Sequence, residues 1–319
     1  MSDTLCQIDV KNIDLKDERY KICLLEEDVT SLALSIQKIG LIYPPMVRLV
    51  NKQYVILSGF NRVKAFILNN VQKINVLKIN PDLSDLQCLL RSITLIVCQR
   101  QLSQSELIRS VQLLNTHLTV QEIFQHSSWL FKQILNIHFI EQLLAIGKLP
   151  DPARVLIESN QLTLKAAQRL LFFDKNDIQV FLSIFEQINA SSSKQLDIIL
   201  YLKEIAARDK INIKTACERM KLDLILTDEK TDSVVKLQQL RTCLFENRFP
   251  SLSCLKAQVK QTISSLKLGP GIVFAPPENF ESQQYTISFT AKNFEEFKTH
   301  VSTLEQQIHH DAIKKIFKP

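Results

Sequence analysis

The chain has 319 residues, of which 45% are hydrophobic, and a formal net charge of +6. No apolar run approaches the roughly 18 residues of a membrane helix, and the N-terminus lacks the basic and apolar regions of a signal peptide. These features argue against a membrane protein and predict a cytoplasmic protein of about one to three domains.

Seven cysteines are scattered along the chain without a Cys-x-x-Cys pair. An odd, scattered set argues against a disulfide framework and against a zinc site. His309, His310 and Asp311 are adjacent, and neighbouring residues on a helix do not face each other. We therefore expect no metal site in the protein.

Charge is unevenly distributed along the chain. Residues 29–81 contain no Asp or Glu but seven Lys or Arg residues. Such a stretch creates a positive local field wherever its side chains converge. This pattern predicts an anionic ligand, although a solvated lysine-rich surface would have the same composition.

Strand and helix signals are mixed in residues 1–80. Alternating apolar residues predict strands, while Asp28 and Gly40 are typical of the start and end of a helix. A turn at residues 51–53 joins two strands into a hairpin. The predicted strands are 7–13, 46–50, 54–57 and 74–79, and the predicted helices follow Asp28 and Gly59.

From Asp82 onward helical patterns dominate, and most of them begin at Ser, Thr or Asp, the preferred N-cap residues. The pattern predicts a break at Ser127–Ser128, and Trp129, the single tryptophan, is expected to anchor the core. The predicted helices are 82–97, 103–115, 119–126, 129–146, 151–159, 163–172, 174–188, 193–208 and 233–247.

In the last part of the chain, patterns typical of strands return after residues 269–271, Gly-Pro-Gly, which interrupt regular structure. The pattern there predicts helix, strand, strand and helix, with strands at 272–274 and 285–289 and a closing helix at 294–308. A two-stranded ribbon is rarely stable alone, so this module needs its helices or a partner chain.

The stretch Leu57–Ala65, LSGFNRVKA, joins a predicted strand to a predicted helix. The first N–H groups of a helix have no intrahelical acceptor, and the helix dipole places partial positive charge there. Gly59 permits close approach to the backbone, while Arg62 and Lys64 add full charges, so the turn suits a phosphate. From these residues alone, a hairpin that ends on a helix with a solvated arginine fits equally well.

Four stretches in a fixed order resemble the ParB-type partition proteins. They are LALSIQKIGLIYPPMVRLV (32–50) with the Gly-x-x-Arg-x-x-Ala turn that follows it, CQRQLS (98–103), LTVQEI (118–123) and LPDPARVLIESNQLTLKAA (149–167). The resemblance covers residues 7–190. It implies an α+β N-terminal domain of the ParB/sulfiredoxin-like fold, followed by a helix-turn-helix. Sulfiredoxin-like enzymes carry a cysteine in the phosphate turn, whereas this turn has Ser58, so their chemistry is not expected.

The resemblance also implies a nucleotide site, because many ParB proteins bind CTP in the N-terminal domain and close a dimer clamp around DNA. Asn61 stands where the family has an arginine, and Ile96 and Val97 stand where it has Glu and Asn. Mg²⁺ requires oxygen ligands, so we expect weak binding of CTP with Mg²⁺ and lost or very slow hydrolysis. The implied nucleotide contacts are Gly59, Asn61, Arg62, Lys64, Gln99 and Arg100.

The central helices are the part of the chain that the resemblance assigns to DNA. Asn and Gln side chains can hydrogen-bond adenine edges. Residues 101–170 carry six Lys or Arg against five Asp or Glu, a net charge of +1, so nonspecific binding should be modest. The groove-facing candidates are Asn136, His138 and Gln142, with Lys132 and Lys148 as phosphate contacts, although an ordinary helix surface would also carry such residues.

These observations predict a mainly helical chain in four parts. The parts are an α+β ParB-like domain at 1–95, a helix-turn-helix domain at 96–190, a helical connector at 191–248 and a small α+β module at 249–319. Because the C-terminal region of ParB proteins dimerises, the resemblance implies a homodimer.

Three hypotheses for function follow. The first is a ParB-like DNA-binding protein that acts in DNA partition or transcriptional regulation and carries a degenerate CTP site. The second is a protein-interaction module that keeps the scaffold without nucleotide switching and docks a protein partner. The third is an active CTP-dependent DNA clamp. Salt-dependent DNA binding separates the first from the second, and CTP titration identifies the third.

Overall fold

The computed structural model describes residues 3–23, 28–277, 284–307, 310 and 313. The chain divides into two compact units, Met1–Leu196 and Asp197–Pro319. None of the described helices is both long and apolar enough to cross a membrane. The finer division into four parts stays a prediction.

A five-stranded mixed sheet forms the base of the first unit. In spatial order the strands are β1 (Thr4–Asp9), β5 (Lys73–Lys78), β3 (Met46–Val50), β4 (Gln53–Ser58) and β2 (Ile13–Asp14). β3 and β4 form an antiparallel hairpin, β5 pairs antiparallel with β1 and parallel with β3, and β2 pairs parallel with β4. The predicted hairpin is confirmed, whereas the first strand begins earlier than expected and is followed by a 3-10 turn at Val10–Asn12.

Two helices, α1 (Thr30–Ile39) and α2 (Phe60–Leu68), pack against each other beside this sheet. Val63 and Phe66 of α2 join the apolar core that the sheet provides. Only Gly59 separates the end of β4 from the start of α2. The buried core therefore fixes where the first turn of α2 lies.

Capping boxes define the starts of three of the helices that follow. In each box the N-cap hydroxyl accepts the N–H of the third helical residue, and that residue's side chain accepts the N-cap N–H. The boxes are Ser84–Gln87, Ser103–Glu106 and Thr119–Glu122. The helices of this part of the chain are α3 (Asp85–Gln99), α4 (Gln104–Leu114), α5 (Val120–Phe131), α6 (Ile137–Ile146), α7 (Asp151–Glu158), α8 (Leu164–Leu170), α9 (Lys175–Gln187) and α10 (Ser192–Asp209).

The helix break expected at Ser127–Ser128 lies instead at residues 132–136. The Ser127 hydroxyl donates to the carbonyl oxygen of Phe124 over 2.7 Å and accepts the N–H of Leu135 over 3.2 Å. Lys132, with φ of 52°, is the residue that ends α5. A buried serine thus holds the following loop onto the helix, whereas the prediction assumed that the serine pair interrupts it.

The expectation that Trp129 anchors the core is wrong. Its side chain is 54% exposed, and its indole N–H donates to Nδ1 of His126 over 3.3 Å. The core-facing positions of α5 are taken by Ile123 and Leu130. Helical phase, rather than side-chain size, decides burial here.

The second unit begins within α10 and ends in a small mixed module. An antiparallel ribbon of β6 (Ile272–Ala275) and β7 (Thr286–Phe289) confirms the two predicted strands. Two short helices between residues 210 and 232 were not predicted, because each provides too few residues for a periodic pattern. The helices are α11 (Ile213–Arg219), α12 (Leu222–Leu226), α13 (Ser233–Arg248), α14 (Pro250–Ser265) and α15 (Phe294–Gln307).

The predicted fold class is confirmed: an α+β N-terminal domain, a long helical region and a small α+β C-terminal module make up a mainly helical chain. Of the adjacent His-His-Asp residues, His309 and Asp311 lie outside the described part of the chain. Within the described part, no group of His, Cys, Asp and Glu side chains is arranged to hold a metal ion.

Candidate functional site

A cavity of about 310 Å³ lies beside the start of α2. Its lining comes from the segment that precedes residue 24, from α1, from the turn between β4 and α2, and from α3 with the residue that caps its C-terminus. Five of the six predicted nucleotide contacts line this cavity, whereas Gln99 is exposed at the end of α3 and is not among the lining residues. The five are Gly59, Asn61, Arg62, Lys64 and Arg100.

Position 59 requires glycine for two reasons, its backbone conformation and the lack of room for a side chain. Its φ of 91° lies in the left-handed region, and a Cβ there would lie 2.9 Å from Cβ of Pro45 and 3.3 Å from Nη1 of Arg62. As the N-cap it provides no side chain to the first N–H groups of α2. Because Gly59 and Asn61 line the cavity, the positive end of the α2 dipole borders it.

Arg62 holds its guanidinium against the loop that precedes β3. Nη1 donates to the carbonyl oxygens of Tyr43, over 3.2 Å, and Pro44, over 3.4 Å. Burial lowers the pKa of Arg62, because the charged form loses water, but arginine stays protonated at neutral pH. The charge is therefore fixed at the wall of the cavity.

At least two of the four cationic side chains that line the cavity are paired with carboxylates. Nη1 and Nη2 of Arg100 donate to the two oxygens of Glu106 over 2.6 and 2.7 Å. Nζ of Lys21 lies 2.6 Å from Oε1 of Glu18. The positive charge offered to a ligand is therefore smaller than four cations suggest.

The α3 wall of the cavity is poor in metal ligands. Ile96 is apolar, and the hydroxyl of Ser92 donates to the carbonyl oxygens of Leu57, over 3.0 Å, and Cys88, over 3.1 Å. No lining residue in the described part of the chain carries a carboxylate. The wall therefore suits phosphate oxygens, which want hydrogen-bond donors and cations, better than Mg²⁺, which wants oxygen ligands.

A cluster around Tyr20 positions the segment before residue 24. The Tyr20 hydroxyl donates to Oδ1 of Asp85 over 2.8 Å and accepts from Nη1 of Arg48 over 3.0 Å. Nη1 of Arg48 also pairs with Asp85, and burial raises the pKa of Tyr20, so the hydroxyl stays a neutral donor. This cluster ties Tyr20 to the sheet and to the first turn of α3, and it places Lys21 at the cavity. The sequence analysis did not identify Tyr20 or Lys21 as site residues, because no local spacing relates Tyr20 to Asp85.

The predicted groove-facing residues all lie on or at the start of α6, which packs against α5. Asn136 is the N-cap of α6, and its Oδ1 accepts the N–H of Phe139 over 2.7 Å. Nε2 of His138 and Nε2 of Gln142 lie 2.7 Å apart, one helical turn from each other. In the chain, α5 is followed by the loop at residues 132–136 and then by α6. Asn136 and His138 are exposed, and Gln142 is half-buried.

The two predicted phosphate-contacting lysines differ in their surroundings. Nζ of Lys132 donates to the carbonyl oxygen of Val97 over 3.0 Å, near the C-terminal end of α3. Lys148 is exposed and follows Gly147, the C-cap of α6. Lys132 therefore contributes to the packing of α3 and α5, whereas Lys148 extends from the predicted DNA-binding helix.

Comparison with known proteins gives a family match for the first part of the chain. Residues 1–92 match the family model of the ParB N-terminal domain. Among solved structures, the chain is similar to the C-terminally truncated chromosome-partitioning protein ParB from Caulobacter crescentus in two complexes. The complex with CTP-γ-S has 18% identity, 58% of this chain and 98% of that chain covered, and a TM-score of 0.28. The complex with the centromeric parS site has 18% identity, 60% and 96% covered, and a TM-score of 0.34.

A third solved structure, of a Pnob8-like ParB-N domain, shares 13% identity, with 77% of this chain and 98% of that chain covered and a TM-score of 0.38. No curated protein matches the chain.

Proposed function

Because residues 1–92 match the family model of the ParB N-terminal domain, we propose that this chain is a ParB-like DNA-binding protein that acts in DNA partition or transcriptional regulation. In this proposal the cavity beside α2 binds the triphosphate of a nucleotide, CTP by resemblance, without efficient hydrolysis. The observation that carries the nucleotide part is the meeting of Gly59, Arg62 and Lys64 at one helix start.

Charge and size support a triphosphate in the cavity. Four cationic side chains line it, and its volume of about 310 Å³ is at the lower end of the range for small-molecule sites. Lys64 supplies a point charge near Asn61, which stands where the family has an arginine. A lysine cannot reproduce the planar fork of a guanidinium, so binding should be weaker than in family members that keep both arginines.

The identity of residues 96 and 97 supports binding without hydrolysis. Ile96 lines the cavity and Val97 is buried, and neither side chain offers an oxygen to Mg²⁺. Isothermal titration with CTP, with and without Mg²⁺, should give similar weak affinities, and phosphate release should stay at the uncatalysed level. Turnover at an ordinary enzymatic rate would refute the loss of hydrolysis.

The proposed DNA contact is α6, in the position of the second helix of a helix-turn-helix. Such a helix enters the major groove with polar residues near its N-terminus. Capping uses only the side-chain oxygen of Asn136, so its amide nitrogen keeps its donors for a base edge. His138 and Gln142 lie on the same surface one turn further along.

The experiment that tests the DNA part is selection of bound DNA from a random pool, repeated with and without CTP. We expect one enriched sequence for the intact chain and its loss in the double variant His138→Ala/Gln142→Ala. The matched control is Gln104→Ala, at the exposed start of α4. If the intact chain enriches no sequence and binds no duplex, the proposal of DNA binding is wrong.

A second candidate function, a protein-interaction module without nucleotide switching, is favoured by one observation. Both arginines expected to hold phosphate already make hydrogen bonds within the protein, Arg62 to two carbonyl oxygens and Arg100 to Glu106. The two functions differ in salt dependence. Binding to DNA through phosphates weakens with a log–log slope of several units, whereas a protein module shows no such slope on DNA.

We also propose that a second copy of the chain covers the exposed apolar stripe of α15. Phe294, Phe297 and Val301 follow each other at spacings of three and four residues and are 74%, 47% and 41% exposed. Light scattering of the intact chain should report a dimer, and Phe294→Asp/Phe297→Asp should report a monomer. Phe172→Asp, at a residue that is 77% exposed on the first unit, is the control and should stay dimeric. A monomeric intact chain contradicts the proposal.

A further inference from the structure

Helices α4 and α7 lie against each other and run in opposite directions. Near the start of α4, the hydroxyl of Ser105 donates to Oε2 of Glu158, the last residue of α7. Near the end of α4, Nε2 of Gln112 donates over 2.7 Å to the carbonyl oxygen of Gly147, which precedes α7 in the chain. Later residues of α4 therefore meet earlier residues on the α7 side.

This arrangement brings Arg109 of α4 opposite Arg154 of α7. Arg109 follows Ser105 by about one helical turn, and Arg154 precedes Glu158 by about one turn. Both arginines are half-buried. Burial lowers the pKa of Arg109, because the charged form loses water, and the charge of Arg154 lowers that pKa further. Arginine stays protonated at neutral pH, so two positive charges are held side by side, partly out of water.

Most N–H donors of this arginine pair have no acceptor in the part of the chain that the structure describes. A guanidinium offers five N–H donors. Arg109 donates only through Nε, to the carbonyl oxygen of Lys21 over 3.4 Å. Nη2 of Arg154 lies 3.3 Å from Oδ1 of Asp151, while its Nε is buried without a hydrogen-bond partner. A buried donor without an acceptor often marks the place of a bound ion or water.

The nearby carboxylates compensate the positive charge only in part. Glu18 and Asp151 both act on Arg109. Oε1 of Glu18 lies 2.6 Å from Nζ of Lys21, so its charge is shared with a third cation. The side chain of Asp151 is 87% exposed, so water weakens its attraction. Three cations, the arginine pair and Lys21, therefore stand against two carboxylates, which leaves a local net charge of +1.

We propose that Arg109 and Arg154 together bind a phosphate group. Its negative charge would remove the repulsion between the two guanidiniums, and its tetrahedral oxygens can accept from two arginine forks at once, whereas one fork already fills the two oxygens of a carboxylate. Neither arginine lines the cavity beside α2, although Lys21 adjoins both places. This site is thus independent of the proposed nucleotide site.

The phosphate group has two possible sources with the same chemistry. One is a free phosphate anion. The other is the DNA backbone, because α7 follows the predicted DNA-binding helix α6 after residues 147–150. Inorganic phosphate and a short duplex DNA are therefore the two probes.

The direct test follows the Nε–H signal of Arg154 by NMR of the full chain, identified by its absence in Arg154→Met. Inorganic phosphate should shift this signal to saturation with a Kd of about 1 mM or tighter. Arg109→Met should weaken that affinity about tenfold, because one of the two forks is lost. A shift with duplex DNA at concentrations far below those of phosphate would assign the group to the DNA backbone. A signal that responds to neither probe would show that the proposal is wrong.

Thermal unfolding distinguishes a bound phosphate from a purely structural role of Arg154. Saturating phosphate should raise the Tm of the natural chain by about 3 °C relative to chloride at equal ionic strength. Arg154→Met removes one charge and the buried donor, so it should lose this rise. Arg169→Met, at an exposed arginine of α8, is the matched control and should keep it. An equal rise in Arg154→Met would contradict the proposal.

The variant Lys64→Met separates this site from the cavity beside α2. Lys64 lines that cavity, so phosphate bound there should bind more weakly in the variant. The Arg154 signal of Lys64→Met should nevertheless respond to phosphate with the affinity of the natural chain. If its response weakens together with binding in the cavity, the signal reports the cavity and the arginine pair is no separate site. If the Arg154 response persists while the cavity binds no nucleotide, the proposed nucleotide site fails and the arginine site stands.

Discussion

The turn between β4 and α2 and the helix α6 both carry predicted ligand contacts, but they hold them in different ways. At the turn, Gly59 adopts a φ of 91° and leaves no room for a Cβ beside Pro45, so the backbone itself dictates the residue. On α6, His138 and Gln142 lie within hydrogen-bonding distance of each other on an open surface, where the fold accepts many residue types.

Ligand binding and stability are therefore separable on α6 but not at the turn between β4 and α2. The cavity is built from residues that also hold the fold, so changing them should affect both ligand binding and the free energy of unfolding. The exposed side chains of α6 contribute little to the stability of the fold, so changing them should affect only the affinity for a partner. Arg100, Gly59, Ile96 and the pair of lysines near α6 test this contrast, in order of decreasing expected effect.

The largest effect is expected for Arg100→Ala, because it leaves the buried Glu106 carboxylate without its counter-charge. We expect a loss of about 3 kcal/mol in the free energy of unfolding at pH 7, measured by urea denaturation. Arg19→Ala is the matched control, since the carboxylate that it leaves unpaired, Asp17, is 15% exposed to water whereas Glu106 is 2% exposed, and it should cost less than about 1 kcal/mol.

The pH dependence of the Arg100→Ala effect has a definite sign. The native pKa of Glu106 lies below its ordinary value of 4.5, so ionised Glu106 contributes stability above that pH, and this contribution is lost as the pH falls through the native pKa. The deficit of Arg100→Ala should therefore shrink in acid, where protonated Glu106 needs no counter-charge. A deficit that stays constant from pH 7 into acid would argue against the ion pair as its source.

A second change, Gly59→Ala, should lower the free energy of unfolding by about 2 kcal/mol and abolish triphosphate binding. The cost arises because the added Cβ needs a left-handed conformation and meets Pro45. Urea denaturation and isothermal titration measure the two effects on one sample.

Gly40→Ala serves as the control for Gly59→Ala. Gly40 also has a positive φ, of 79°, but a Cβ there meets nothing within 4 Å and Gly40 does not line the cavity. Its substitution should destabilise the domain and leave triphosphate binding intact. Equal loss of binding in both variants would mean that destabilisation, and not the cavity, causes the effect.

Sequence patterns predicted the structural elements that neighbouring residues determine. They failed for features that depend on contacts between residues far apart in the chain. The β3–β4 hairpin and the helices with Ser or Thr caps were predictable because turn and capping residues act within a few positions. The break after α5 was misplaced, because Ser127 is buried by a loop whose position no local pattern reveals. Helical phase, which rests on the whole packing of α5, also decided the exposure of Trp129.

The residues of the candidate site also fall into those that local sequence predicts and those that distant contacts position. Gly59, Arg62 and Lys64 lie in one short stretch, so their convergence was predictable from helix geometry. Lys21 was missed, because the hydrogen bond between Tyr20 and Asp85 that positions it joins residues far apart in the chain. The pairing of Arg100 with Glu106 was likewise not anticipated, since the sequence suggested Arg100 only as a phosphate contact.

A third change, Ile96→Glu, tests why the cavity suits phosphate rather than metal. Ile96 lines the cavity, and a carboxylate there would supply an oxygen ligand for Mg²⁺. We expect CTP binding to become weaker by about tenfold without metal, through repulsion, and to recover when Mg²⁺ is added. Isothermal titration with and without Mg²⁺ measures the difference.

Ile96→Gln, which has a similar size but no charge, is the control for Ile96→Glu. It should show neither the loss without metal nor the recovery with it. If Ile96→Glu binds CTP equally well under both conditions, residue 96 does not face the phosphates.

The smallest effects are expected at the two lysines near α6, and they compare the two regions most directly. Lys148 is exposed after α6, so Lys148→Ala should reduce the slope of log affinity against log salt by about one unit on DNA and leave stability unchanged. Lys132 donates to the carbonyl oxygen of Val97, so Lys132→Ala should lower the free energy of unfolding by about 1 kcal/mol and leave the slope unchanged. Salt-dependent DNA binding and urea denaturation on both variants provide the four measurements. If Lys132→Ala changes the slope instead, the ammonium of Lys132 leaves the carbonyl oxygen of Val97 when DNA binds. Lys132 would then belong to the DNA-binding surface as well as to the packing against α3.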